Sequence, residues 1–151
     1  MARKPKSGKS KSLKWNGRKV TARMREAQID GVNRTMAACV VHAKRNHVWN
    51  NRTAVLEGGI DIADYAAPHA TGVKGSWGVR DVVYARIHEL GGTIRPKTAQ
   101  ALRFRLDDGT FAVVKQVTIP PRPFLRPAAD VEYPKLADRI RKAYERRSKR
   151  A

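Results

Sequence analysis

The sequence holds one cysteine, Cys39, and a single thiol excludes both an internal disulfide framework and a cysteine-built zinc site. Long apolar runs are missing as well. The longest is Met36-Ala-Ala-Cys-Val-Val41, six residues where a membrane-spanning helix needs about 20. No apolar stretch follows the basic N-terminus, so it does not read as a secretory signal. Carboxylates are absent from the first 25 residues, Glu26 being the first. Aromatics are scarce there too: Trp15 stands alone, which leaves no row of rings on which successive bases of a single strand would stack.

What the sequence does have is positive charge, 32 Lys+Arg against 13 Asp+Glu in 151 residues, a formal +19. Its position matters more than its total. Residues 1–25 carry ten bases and no acid, and residues 135–151 carry eight bases against Asp138 and Glu145. Residues 26–134 hold fourteen bases and eleven acids, close to balance. The length suits one domain, and an apolar share of 41% is enough for one modest core. The expected division is a basic flexible arm over 1–19, a single α+β domain over 20–147 and a basic tail over 148–151. Blocks of like charge extend into solvent. Two readings of the arm stay level: a solubilising tail, or a contact with nucleic-acid phosphates that carries no sequence preference.

Periodicity predicts a long amphipathic helix over 20–47, with Val20, Met24, Ala27, Gly31, Val32, Thr35, Met36, Cys39, Val40 and Ala43 on one stripe. Residues 53–65 alternate as a strand kinked at Gly58-Gly59, and 66–71 read as a loop around Pro68. Residues 73–79 read as a second strand and 82–90 as a short helix, with Asp81 placed to cap it and Gly91-Gly92 to stop it. Strands over 101–106 and 110–119 flank Asp107-Asp108-Gly109, a strong hairpin signal. Pro120, Pro121, Pro123 and Pro127 then predict an extended, rigid segment. A last helix runs over 133–147, with Leu136, Ile140 and Tyr144 as its apolar stripe. The fold class is α+β: an antiparallel sheet with a long N-terminal, a short middle and a C-terminal helix packed on it.

Catalytic patterns do not assemble. Ser7-Gly8-Lys9-Ser10 ends like a phosphate-binding loop, but Arg3 stands where the motif needs its first glycine. His88-Glu89 does not open a metalloprotease helix, because Gly92 replaces the second histidine, and His42 and His47 are five apart, off a common helix face. Glu57 and Asp61 would share a face of one strand, which leaves a paired-carboxylate site as a minor reading. Cys39 lies in the apolar stripe as a core thiol. The expectation is no enzyme, no metal and no cofactor.

The most distinctive stretch is Tyr84-Ala-Arg-Ile-His-Glu-Leu-Gly-Gly92, followed by Ile94-Arg-Pro96 and later by Ile119-Pro-Pro-Arg-Pro-Phe-Leu125. In this combination the sequence resembles the neck and tail-completion proteins of tailed bacteriophages, over roughly residues 25–145. The segment His47-Val-Trp-Asn-Asn-Arg-Thr53, with Leu56 and Ile60, is similar to the family's link between first helix and first strand. That link usually reads Thr-Gly, and Ala54 departs from it. The resemblance implies a non-enzymatic virion protein with a fold like that of phage tail terminators, assembled in the host cytoplasm. It would form a ring, six-fold favoured and twelve-fold the alternative, stacked on connector or tail-tube rings around the DNA channel.

A ring needs one patch to meet a different patch on the next copy. The expected interface comprises Tyr84, His88, Glu89, Gly91, Gly92, Ile94, Pro96, Arg122, Pro123, Phe124 and Leu125, with Phe124 as anchor. That Phe124 and Leu125 instead close the protein's own core is an equal alternative on sequence grounds. The arm bases Arg3, Lys4, Lys6, Lys9, Lys11, Lys14, Arg18 and Lys19 are expected to face the DNA channel, in a non-specific contact, or an acidic neighbouring ring. No membrane partner is expected. The competing identity is a cellular nucleic-acid-binding module that touches phosphates through its basic termini.

Overall fold

The structure, a computed structural model, describes residues 16–49, 54–106 and 108–150. Its architecture is α+β: a long N-terminal helix, three small antiparallel sheets and a C-terminal helix. Helix α1 (Gly17–Arg45) has 29 residues, about 44 Å of helix. Burial begins at Ala27 and continues through Gly31, Thr35, Met36, Cys39, Val40 and Ala43, the expected stripe less its first two members and Val32, which is half-buried. Val20 and Met24 stay exposed.

After α1 the chain departs from the single kinked strand expected over 53–65. It forms a short helix, α2 (Val55–Gly59), entered through Ala54 at φ +56°, and only then strand β1 (Ile60–His69). Strand β2 (Gly72–Val79) pairs antiparallel with β1 from Ile60 opposite Val79 to His69 opposite Gly72, with two register shifts between Ile62 and Ala67. The expected loop around Pro68 is therefore strand. β1 pairs on one side alone, and an edge strand tolerates a residue with no N–H to donate.

Helix α3 (Ala85–Leu90) is shorter than expected, and Asp81 does not cap it: its backbone is left-handed, φ +55°, and the capping position falls on Tyr84. Strand β3 (Gly92–Ile94), unforeseen in the sequence, pairs with β6 (Val117–Ile119). Strands β4 (Leu102–Arg105) and β5 (Phe111–Val114) form the expected hairpin. Its turn is held by the Asp108 carboxylate, which accepts the Thr110 N–H at 2.9 Å and the Thr110 hydroxyl at 2.6 Å. These bonds, the hydroxyl's first, hold the Asp108 carboxyl below the usual aspartate range. Asp107 lies outside the described residues.

The proline-rich segment is extended only to Pro123. Helix α4 (Leu125–Glu132) follows, with Pro127 in its first turn, where a missing N–H costs nothing. A 3-10 turn (Tyr133–Lys135) leads into α5 (Leu136–Lys149), which takes in residues 148 and 149 of the expected tail. α5 runs antiparallel along α1, and Gly31 lies close against Ile140. A Cβ at residue 31 would lie 2.5 Å from Ile140 Cγ1 and 3.0 Å from its backbone N, so any larger residue forces the helices apart. The core between α1, β1–β2 and α4 consists of Val40, Ala43, Trp49, Leu56, Ile60, Ala85, Phe124 and Ala128.

Candidate functional site

The two segments that carry the resemblance are 35 residues apart in sequence and dock on each other in the fold. Glu89, near the end of α3, reaches the start of α4. Its Oε2 accepts the N–H groups of Phe124 at 2.7 Å and Leu125 at 3.0 Å, and its Oε1 accepts that of Arg126 at 3.0 Å. A helix begins with N–H groups that have no partner inside it, and a carboxylate there is favoured by charge as well as by hydrogen bonding. Arg122 N–H donates to the His88 carbonyl at 2.7 Å. Gly91, at φ +69°, ends α3 and lets Pro121 approach: a Cβ at residue 91 would sit 2.7 Å from the Pro121 nitrogen. The β3–β6 pairing completes this clasp.

Phe124, 1% exposed, is the largest fully buried side chain among the described residues. Its ring meets Trp49 edge-on at 4.7 Å, and Trp49 in turn stacks on His47 at 4.0 Å. The expectation that Phe124 anchors a neighbouring copy is corrected by this burial: a ring enclosed by its own core has no face to present. Glu89 and Gly91 are likewise spent within the chain, and His88 packs against Tyr84 and Trp49. His88 Nδ1 and Trp49 Nε1 are both buried without a hydrogen-bond partner. Leu125 and Pro96 are half-buried. Of the expected interface residues, Tyr84, Gly92, Ile94, Arg122 and Pro123 keep exposed surface. Val83, 97% exposed, and Leu90 extend that surface, and the sequence reading passed over both.

A second arrangement joins the basic ends. Because α1 and α5 are antiparallel, the start of one lies beside the end of the other. Arg146 pairs with Asp30 at 3.2 Å and Arg147 with Glu26 at 3.3 Å, while Arg23 reaches Ser148 Oγ at 3.4 Å. Partly exposed pairs of this kind are each worth less than about 1 kcal/mol. Between the helices lies a cleft of about 580 Å3. Lys19 and Arg23 line it from α1, and Arg146, Arg147 and Arg150 from the α5 side. Arg18 and Arg25 stand on the adjoining face of α1. Of the expected arm residues, Arg18 and Lys19 thus belong to a helix; Arg3, Lys4, Lys6, Lys9, Lys11 and Lys14 lie outside the described residues.

Farther along the α1–α5 seam, Glu132 is 8% exposed and binds the Arg139 guanidinium, with Lys135 Nζ at 2.8 Å. Arg139 also donates to the Glu132 carbonyl and to Thr35 Oγ1, which ties α4, α5 and α1 together. Hydrogen bonds from Arg139, then Lys135, hold the Glu132 carboxyl below the usual glutamate range. Cys39 lies alongside, and burial, with the Glu132 charge added, pushes its thiol up to about 11.

Comparison with protein-family models, curated protein sequences and solved structures found no match. Geometry therefore carries the functional reading. Glu57 and Asp61 fall on different elements, α2 and β1, so the shared strand face on which a paired-carboxylate site depended does not form. Among the described residues no three His, Cys, Asp or Glu side chains converge as a metal site would require, and no helix is long and apolar enough to cross a membrane.

The feature that sequence reading missed is the stance of the β4–β5 hairpin. The two strands pack chiefly on each other, and neither has an extensive contact with another element. The register puts Leu102, Phe104, Ala112 and Val114 on one face, all apolar. On the other, the Arg103 guanidinium covers the Phe111 ring at 4.3 Å beside Val113. Phe104, Phe111 and Val113 are 40%, 57% and 64% exposed. The alternation was legible, but nothing in it says whether a core covers the apolar face.

Proposed function

We propose that the chain is a structural subunit of the head–tail junction of a tailed bacteriophage, closing into a ring around the DNA channel and resident in the virion neck. The observation that supports it is the β4–β5 hairpin. A two-stranded hairpin is marginal in water, and an apolar face with open strand edges invites pairing with another chain. On a ring subunit, that hairpin seats on a different patch of the next copy, the heterologous contact by which cyclic assemblies close. The resemblance supplies the location: its two signature segments form one clasp, and the clasp sets the strand β6 from which the chain returns after the hairpin. The ring is six-fold, with twelve-fold as the alternative.

The test is the mass of the full chain by light scattering, with particle images, for the wild type and for Phe104→Asp, which puts a charge on the apolar face of the hairpin. Phe104 is exposed, so the variant keeps its fold. The proposal expects closed rings at a fixed multiple of the 16.9 kDa chain for the wild type, and monomers with unchanged melting for the variant. A wild type that stays monomeric at every concentration, or a variant that still closes rings, overturns it. The convergence of the two basic ends favours the second reading, a nucleic-acid-binding module, which would bind tightly as a monomer and form no ring.

A further inference from the structure

We propose that the cleft between the start of α1 and the end of α5 is a binding site for the phosphodiester backbone of nucleic acid. Two basic segments, separated by the whole length of the domain, meet across it. On α1, Lys19 and Arg23 are four residues apart and so lie on one helix face; Arg146 and Arg150 repeat that spacing opposite. The acids in the cleft, Glu26 and Asp30, are engaged by Arg147 and Arg146. Among the described residues Lys19, Arg23 and Arg150 have no carboxylate partner, so the cleft keeps a positive surplus after its internal pairs are made.

The lining decides between a polyanion and an acidic protein surface. Protein interfaces are built on a core of aromatic and large apolar side chains. This cleft has alanine alone as its apolar lining, Ala22 and Ala143, beneath guanidinium and ammonium groups. Guanidinium forks match phosphate oxygens in pairs, and each phosphate neutralised releases counterions, the main source of sequence-independent binding. Cations on both sides of the cleft suit a ligand whose charge repeats along its length. The site reads backbone, not bases.

The inference stands apart from the ring reading. The hairpin substitution that tests assembly leaves every cleft residue in place, so the two failures are distinguishable. The experiment measures binding of the full chain to a labelled 20-base-pair DNA duplex, to single-stranded RNA of equal length and to polyglutamate, from about 50 to 200 mM salt. Three proteins are compared: wild type, Lys19→Ala/Arg23→Ala/Arg150→Ala, and a control that loses three exposed charges elsewhere, Lys74→Ala/Arg86→Ala/Lys97→Ala.

With three phosphates held by the cleft, their share of the affinity falls roughly 40-fold over that salt range. The cleft variant should lose about 2.7 from the slope of log affinity against log salt, and at least tenfold in affinity, while the control changes less than about twofold. Whichever phosphodiester binds more tightly names the source, duplex DNA or single-stranded RNA. Equal losses in the control, an unchanged slope in the cleft variant, or polyglutamate binding as tightly as the duplex would each overturn the proposal. The last outcome would point to an acidic protein neighbour.

Discussion

Glu89 is the residue on which the clasp turns, and its removal gives the sharpest test of the structure. Glu89→Ala takes the acceptor away from three backbone N–H groups at once. Those of Phe124 and Leu125 are partly buried and next to the core; that of Arg126 faces solvent and finds water. A buried donor left without a partner costs about 1–3 kcal/mol, and a bond to a charged acceptor lies at the upper end. Two such donors give a loss of about 3 kcal/mol, since water entering beside the truncated side chain recovers part of it. For a chain of this size each kcal/mol moves the melting temperature by about 2–4 °C, so the expected fall is about 6–12 °C.

Glu89→Gln keeps one neutral acceptor oxygen and should lose roughly half as much. Thermal unfolding by circular dichroism gives the total, and amide hydrogen exchange gives the location: the amides of residues 124–126 should exchange faster in the variant before any global unfolding. If Glu89→Ala melts within about 1 °C of wild type with those amides still protected, the clasp is wrong.

Two further predictions follow from the backbone and from the α1–α5 seam. Ala54 sits at φ +56°, where a Cβ is strained, at the position where the resembled segment carries glycine; Ala54→Gly should stabilise by about 0.5–1 kcal/mol, and a lower melting temperature would contradict the left-handed assignment. Glu132 is ionised more readily folded than unfolded, so its contribution is fully present above the unfolded value near 4.3 and fades as pH falls through the lower folded value. Glu132→Gln should therefore be less stable than wild type at pH 7, by about 1–3 kcal/mol, with the gap closing on acidification below about pH 4.3; a gap that stays constant in acid-urea titrations would refute the pairing with Arg139.

Where the pattern is long, the sequence spoke clearly. Seven buried positions of α1 recur at steps of three and four from Ala27 to Ala43, and chance does not sustain that over several turns. Short elements were illegible because their cause is tertiary. β3 and β6 have three residues each, too few to show a period, and each exists because the other pairs with it. Residues 110–119 read as one strand, yet the chain turns away at Lys115 and Gln116, giving β5 to the hairpin and β6 to β3. α4 was hidden behind four prolines. Its start depends on a carboxylate 35 residues upstream, and no local propensity reports such a partner.

Charge shows the same division between what local sequence states and what packing decides. Sorting the bases by position separated two cationic ends from a nearly balanced middle, and so presented them as independent flanks. The α1–α5 pairing makes them one surface. That pairing follows from an apolar seam: Gly31 admits Ile140, Ala143 packs flush, and Leu136 and Tyr144 lie along the same stripe. With the seam in place, Glu26 and Asp30 fall opposite Arg147 and Arg146, so the few acids near the ends serve to align the helices. The cations they do not reach, Lys19 and Arg23 on one side and Arg150 on the other, are left facing the same cleft. A surplus that costs self-repulsion in every folded copy is hard to account for by solubility alone, because dispersed charge would give the same benefit at lower cost. A polyanion that lies along the cleft offsets that repulsion, so the geometry of the seam, more than the total of +19, points to a phosphate backbone.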